Sequence, residues 1–160
     1  MQPLNSEDRF MAAAIAKARE GIAAGQSPFG AVIVSKGLVV ASTHNTVWRD
    51  QDPTAHAEVN CIRSAARALQ SISLGGCEMY STCEPCPMCL SAIHWSKIDR
   101  VVFGATIADA AAAGFCELHF GAAELARLGG SPLKVESGLL REECAALFAI
   151  WRDSALCGTY

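Results

Sequence analysis

The stretch Cys77-Glu78-Met79-Tyr80-Ser81-Thr82-Cys83-Glu84-Pro85-Cys86-Pro87-Met88-Cys89 reads as a strand that delivers the chain into a helix. Gly75-Gly76 breaks what precedes it, and Cys77 to Thr82 forms a short strand. Pro87 suits the first helical position, where its missing N–H leaves nothing unpaired that was not already so. Cys86 is then the helix cap and Cys89 falls in the first turn, with both sulfurs at the positive end of the helix. That field lowers thiol pKa values and favours thiolates.

Working outward, Thr54 can cap a helix that runs through His56, Glu58, Ile62 and Leu69. Before it, residues 6–24 place Phe10, Met11, Ala14, Ile15, Ala18 and Ile22 at helical spacing, behind Ser6 as a cap and ahead of Gly25 as a stop. Ala31-Val32-Ile33-Val34, a Lys36-Gly37 turn and Leu38-Val39-Val40 read as a β-hairpin, followed by a loop from Asn45 to Pro53. After the cysteines come a strand from Arg100 to Ala105 and a helix from Ile107 to Ala113 ended by Gly114. A strand around Leu133 to Glu136 and a helix from Leu139 to about Ala155 complete the chain. Strands alternating with helices predict an α/β fold, a three-layer α/β/α sandwich with a mixed central sheet. Residues 1–160 are expected to form a single domain, without repeat or linker.

The 51% apolar and 18% charged shares describe a globular chain. Its 13 basic and 16 acidic residues leave a net charge of −3 with no basic run, which argues against a nucleic-acid partner. The apolar run from Cys144 to Trp151 is far shorter than the roughly 20 residues a membrane-spanning helix requires. Eight cysteines can form a disulfide framework, but Glu7 and Asp8 interrupt any secretory leader, so reduced thiols in a cytoplasm are expected.

His56, Cys86 and Cys89 together supply an imidazole and two thiolates, three positions of a tetrahedral zinc site with the fourth open. His56-Ala57-Glu58 with Pro85-Cys86-Pro87-Met88-Cys89 matches the H-x-E and P-C-x-x-C pattern of zinc deaminases, in which the glutamate carries protons. Two other readings use the same residues. Cys86 and Cys89 can be a redox dithiol, but that gives His56 and Glu58 no role. Cys83 can close a structural Cys3His site, but Glu58 is then again idle. On a regular helix His56 and Glu58 point to nearly opposite sides, so helical periodicity alone does not bring them together.

At these residues the chain resembles the cytidine deaminase superfamily, and within it the small bacterial guanine deaminases. The likeness runs from Pro28-Phe29-Gly30-Ala31-Val32 through Asp52-Pro53-Thr54-Ala55-His56-Ala57-Glu58 and Cys83-Glu84-Pro85-Cys86-Pro87-Met88-Cys89 to the terminal Tyr160. The guanine-deaminase likeness rests on Trp95, on Ala113-Gly114-Phe115 followed by Glu117, and on the C-terminal tyrosine. Glu117 stands where the family usually has aspartate, and Cys116 where an acidic residue is common.

The resemblance implies one Zn2+ per chain on His56, Cys86 and Cys89, with Glu58 and Glu117 as catalytic acids. It also implies a nucleobase held by Phe29, Asn45, backbone beside Ala57, Trp95, Phe115 and Tyr160. The activity it implies is hydrolysis of guanine to xanthine and ammonia in a homodimer, with exchanged C-terminal segments bringing Tyr160 to the partner's pocket. Guanosine, cytosine or triazine deamination, tRNA wobble adenosine deamination and a non-catalytic zinc domain remain alternatives. His44, His94 and His119 lack ligand-spaced partners and are expected to be ordinary core or surface histidines.

Overall fold

The structure is a computed structural model that describes residues 5–154 and 158–159. At its centre is a five-stranded sheet in the order β2-β1-β3-β4-β5, formed by β1 (Gly30–Ser35), β2 (Leu38–His44), β3 (Cys77–Cys83), β4 (Arg100–Ala105) and β5 (Lys134–Ser137). β1 runs antiparallel to both β2 and β3, whereas β3, β4 and β5 are parallel, so the sheet is mixed as anticipated.

Strand alternation separates two cores. Val32, Val34, Tyr80 and Val102 face one side, where α1 (Ser6–Ala23) contributes Met11, Ala14 and Ile15 and α7 (Arg141–Arg152) contributes Leu147, Phe148 and Trp151. Ala31, Ile33, Met79, Val101 and Phe103 face the other side. There they meet Cys61 and Ala65 of α3 (Ala57–Ala68), Leu90 and Ile93 of α4 (Pro87–Trp95), and Ala126 of α6 (Ala122–Leu128). The layers are therefore helix, sheet, helix. The apolar run in β4 follows from burial on both faces.

Several boundaries differ from the sequence reading for local reasons. Asn5, not Ser6, caps α1, through a capping box with Asp8. Thr54 does not cap α3; its N–H and hydroxyl both turn back to Asp52 Oδ1, and His56 takes the cap position. The loop expected from Asn45 to Pro53 contains a single helical turn, α2 (Val47–Asp50). The helix after β4, α5 (Ile107–Ala112), stops before Gly114, whose φ of 103° suits glycine. α6 was not anticipated: it occupies about two turns of an alanine-rich segment between glycines, too short to establish a period. α7 begins at Arg141, after Leu140 in the left-handed region, and ends at Arg152. The expected extension to Ala155 lies outside the described residues.

Candidate active site

α3 and α4 both begin at the same place. His56 caps α3 with extended backbone (φ −66°, ψ 156°) and Cys86 caps α4 in nearly the same conformation (φ −63°, ψ 167°). Neither side chain caps its own helix. Because His56 lies just outside the helix while Glu58 is within its first turn, the opposed directions of a regular helix do not apply. That is how His-x-Glu converges. Pro87 stands at the first helical position, as its fixed φ favours, and Cys89 follows in the first turn.

The donor atoms fit zinc. His56 Nδ1 lies 3.7 Å from Cys86 Sγ and 3.5 Å from Cys89 Sγ, and all three atoms fall within 4.8 Å of one another. A tetrahedron with ordinary Zn–N and Zn–S bonds has N···S edges of about 3.6 Å. Cys83 is a neighbour, not a ligand: its Sγ is bonded to the Thr106 carbonyl at 3.5 Å, and burial pushes its thiol far above the usual range. A closed Cys3His site is therefore not what these residues build. Among the described residues seven cysteines are free. No helix among them is long and apolar enough to cross a membrane.

Glu58 is buried beside the triad but outside it. Ser81 Oγ donates to its Oε1 at 3.2 Å and Cys89 Sγ to its Oε2 at 3.4 Å. Burial raises its pKa, so a proton is retained more readily than on an exposed glutamate. Cys86 is held well below the ordinary thiol range, first by the hydrogen bond from Cys89 and then by that with His56, against the opposing effect of burial.

These groups open into a cavity of about 320 Å3 lined by Phe29, His56, Glu58, Cys83, Glu84, Cys86, Pro87, Met88, Phe115, Cys116, Glu117 and Leu118. Phe29 and Phe115 meet edge to face with centroids 4.9 Å apart. Glu117 comes from the loop after α5, and burial, followed by the nearby Cys86 charge, raises its pKa. Two carboxylates with elevated proton affinity thus share one cavity with the metal ligands.

The remaining sequence candidates are distributed as follows. Asn45 is fully buried next to Phe29, donating its backbone N–H to the Phe29 carbonyl and accepting from Val47 N–H on its side-chain oxygen. Ala57 is fully buried at the start of α3. Trp95 is not brought to this cavity; it ends α4, 75% exposed, beside a separate shallow groove with Leu125 and Ser131. Tyr160 lies outside the described residues. Of the other histidines, His94 is bonded to Ser131 and His44 to the Asn45 carbonyl. Sequence reasoning assigned no role to Ser81 or Glu84. Strand alternation can aim Ser81 inward, but nothing local names Glu58 as its partner.

A zinc triad at two helix starts, with a buried glutamate of raised pKa beside it on a mixed sheet, defines the site of a zinc-dependent deaminase. The chain belongs to the family described as the cytidine and deoxycytidylate deaminase zinc-binding region, whose model matches residues 4–105. Within that family it is similar to the guanine deaminase of Bacillus subtilis (strain 168), 47% identical over 111 residues covering 69% of this chain and 71% of that protein. It is also similar to the tRNA-specific adenosine deaminase of the same strain, 34% identical over 151 residues covering 91% of this chain and 88% of that one. A solved guanine deaminase from Nitrosomonas europaea superposes with a TM-score of 0.85 at 29% identity, over 94% of this chain and 86% of its own.

Proposed function

We propose that the protein hydrolyses guanine to xanthine and ammonia. The observation that carries this reading is the second carboxylate: Glu117 opens into the same cavity as Glu58, between aromatic walls of a size suited to one bare base. Similarity to two guanine deaminases supports it.

When bound by His56, Cys86 and Cys89, zinc supplies Lewis-acid activation of the attacking water. Glu58 accepts one proton from that water and passes it to ring N3 as the oxygen bonds to C2. Ser81 holds Glu58 in the orientation that reaches both atoms. The adduct then transfers its hydroxyl proton to the exocyclic amine through the carboxylates, Glu117 assisting, and the C2–N bond breaks to release ammonia. One water is consumed and the atoms balance. Phe29 and Phe115 wall the cavity against bulk water, and Asn45, through its bonds to Phe29 and Val47, fixes the loop beside the base.

Deamination of a tRNA wobble adenosine is the alternative, favoured by the longer alignment with the tRNA-specific relative. An acidic group in the cavity and a net charge of −3 oppose binding of a phosphate backbone. Incubating the zinc-loaded protein with guanine in 18O-water decides the reaction: xanthine carrying one label at C2 is expected. Unlabelled or absent xanthine, with inosine formed in an anticodon stem-loop, overturns the guanine reading.

A further inference from the structure

Glu84 is placed to do something that neither metal chemistry nor base binding assigns to it. Its backbone N–H is bonded to the Ala105 carbonyl at 2.8 Å, which fixes it to the end of β4. Its carboxylate then divides. Oε2 accepts from Ile107 N–H at 3.0 Å and Oε1 from Ala122 N–H at 2.8 Å. Those two amides open α5 and α6, the helices on either side of the loop that carries Phe115, Cys116, Glu117 and Leu118 into the cavity. Oε1 therefore pins the C-terminal end of that loop, Oε2 pins the start of the short helix that leads into it, and Cys86 follows two residues later in the chain.

Between these pins lies the loop of residues 113–121. Its described backbone hydrogen bonds are short-range, such as Glu117 N–H to the Phe115 carbonyl and Phe120 N–H to the Leu118 carbonyl. Phe115 anchors one point by packing against Phe29 and Trp151. Cys116 and Leu118 are exposed. Glu84 thus ties the segment that carries Glu117 to a position two residues from a metal ligand.

We infer that Glu84 is the positioning residue that ties the start of α5 to the start of α6 and, by holding the 107–121 segment between them, keeps Glu117 over the metal edge of the cavity. It also lines the cavity, but in this role both of its oxygens are engaged by helix amides. The requirement is for two acceptor oxygens. Glutamine keeps the shape but presents an amide N–H to one of the two helix amides, losing one clamp and leaving a donor facing a donor. Aspartate keeps both acceptors on a stem one methylene shorter. The proposal deepens the guanine reading, and its kinetic arm rests on that reading, whereas its exchange arm does not.

The test compares wild type, Glu84→Gln and Glu84→Asp, all zinc-loaded, by amide hydrogen exchange and by steady-state deamination of guanine. Glu84→Gln is expected to keep stoichiometric zinc and to leave exchange in α3 unchanged, while exchange across residues 113–121 accelerates at least ~10-fold. The kinetic expectation is a fall in kcat/KM of roughly 10–100-fold, with partial recovery in Glu84→Asp. Unchanged exchange in 113–121 overturns the clamp. Loss of zinc, unfolding, or equal acceleration throughout the protein also overturns it, because Glu84 is then a general structural residue. If guanine is not turned over by wild type, the exchange comparison alone decides the clamp, so the two readings fail separately.

Discussion

His56 and Cys86 occupy equivalent places on two different helices: each is the extended cap residue, and their ligand atoms lie 3.7 Å apart. Two helix starts built this way bring an imidazole and two sulfurs together without any distortion of helical backbone. Stripping zinc should therefore loosen the junction of α3 and α4. Chelation is expected to lower Tm by at least about 5 °C, the stabilisation expected of a tight ligand at this chain length. Cys89→Ser should lower zinc content below one per chain and reproduce the chelated Tm. Calorimetry with metal analysis checks both, and full zinc occupancy in Cys89→Ser would show that the ligand set is wrong.

Glu58 stands beside the metal ligands, held by Ser81, and does not join them. Glu58→Gln should bind zinc normally yet lose roughly 10²–10⁴-fold in kcat, the range for positioned acid–base catalysis. Ser81→Ala removes only the orienting hydroxyl, and a smaller loss, roughly 10-fold, is expected. Rate measurements on the two variants at matched zinc content test the ranking.

Glu117→Gln keeps the shape of the cavity and removes the carboxylate that the 113–121 loop contributes beside Glu58 and Glu84. A fall in kcat with little change in KM is expected, because in the proposed mechanism the group acts on the departing amine and not on the bound base. Glu117→Asp, which shortens the stem, should retain more activity than Gln. Equal rates for wild type and Glu117→Gln would remove the residue from the mechanism.

Gly30 begins β1 against α1, where an added Cβ would overlap the Ala14 carbonyl oxygen and approach the Ala18 nitrogen to 2.7 Å. Backbone atoms cannot rotate away. Gly30→Ala should cost about 3 kcal/mol, which at this chain length corresponds to a Tm lower by roughly 6–12 °C. Thermal unfolding at constant zinc is the check.

Arg100, with a side chain 15% exposed, is bonded to Glu7, Glu78 and Glu136, joining α1, β3, β4 and β5. The Arg100 hydrogen bond holds Glu136 below its ordinary value of 4.5. A depressed carboxylate stabilises fully above its unfolded pKa, and the contribution disappears as pH falls through the lower folded value. Arg100→Met should be less stable than wild type by roughly 1 kcal/mol at pH 7, given that its acidic partners are half exposed. That gap should narrow as pH drops below about 4.5. Urea unfolding across pH 3–7 measures it.

The parts that were legible in the sequence are those with local causes. Arg100 to Ala105 was read as a strand with the observed limits, because burial on both faces leaves a continuous apolar run ended by a polar capping residue, Thr106. The zinc ligands were legible because His56, Cys86 and Cys89 carry metal-binding chemistry in a recognisable spacing, and Pro87 marks the helix start. The convergence of His56 with Glu58 was not, since it depends on His56 being the cap itself and not a residue within the first turn of a helix capped by Thr54. The Ser81–Glu58 and Glu84–Ala122 contacts join residues 23 and 38 positions apart, so only the folded sheet brings them together. Trp95 has the same limit: a helix-end tryptophan reads alike in sequence whether it enters a cavity or, as here, faces outward.

The most direct test of guanine deamination is ammonia release by the zinc-loaded protein from guanine, guanosine, cytosine, adenine and a tRNA anticodon stem-loop, with Glu58→Ala as the control. Rapid, Glu58-dependent release from guanine and none of comparable rate from the other four is the predicted result. Glu58-dependent turnover of the stem-loop or another base with silence on guanine would contradict the proposed substrate, and silence on all five would contradict catalysis itself.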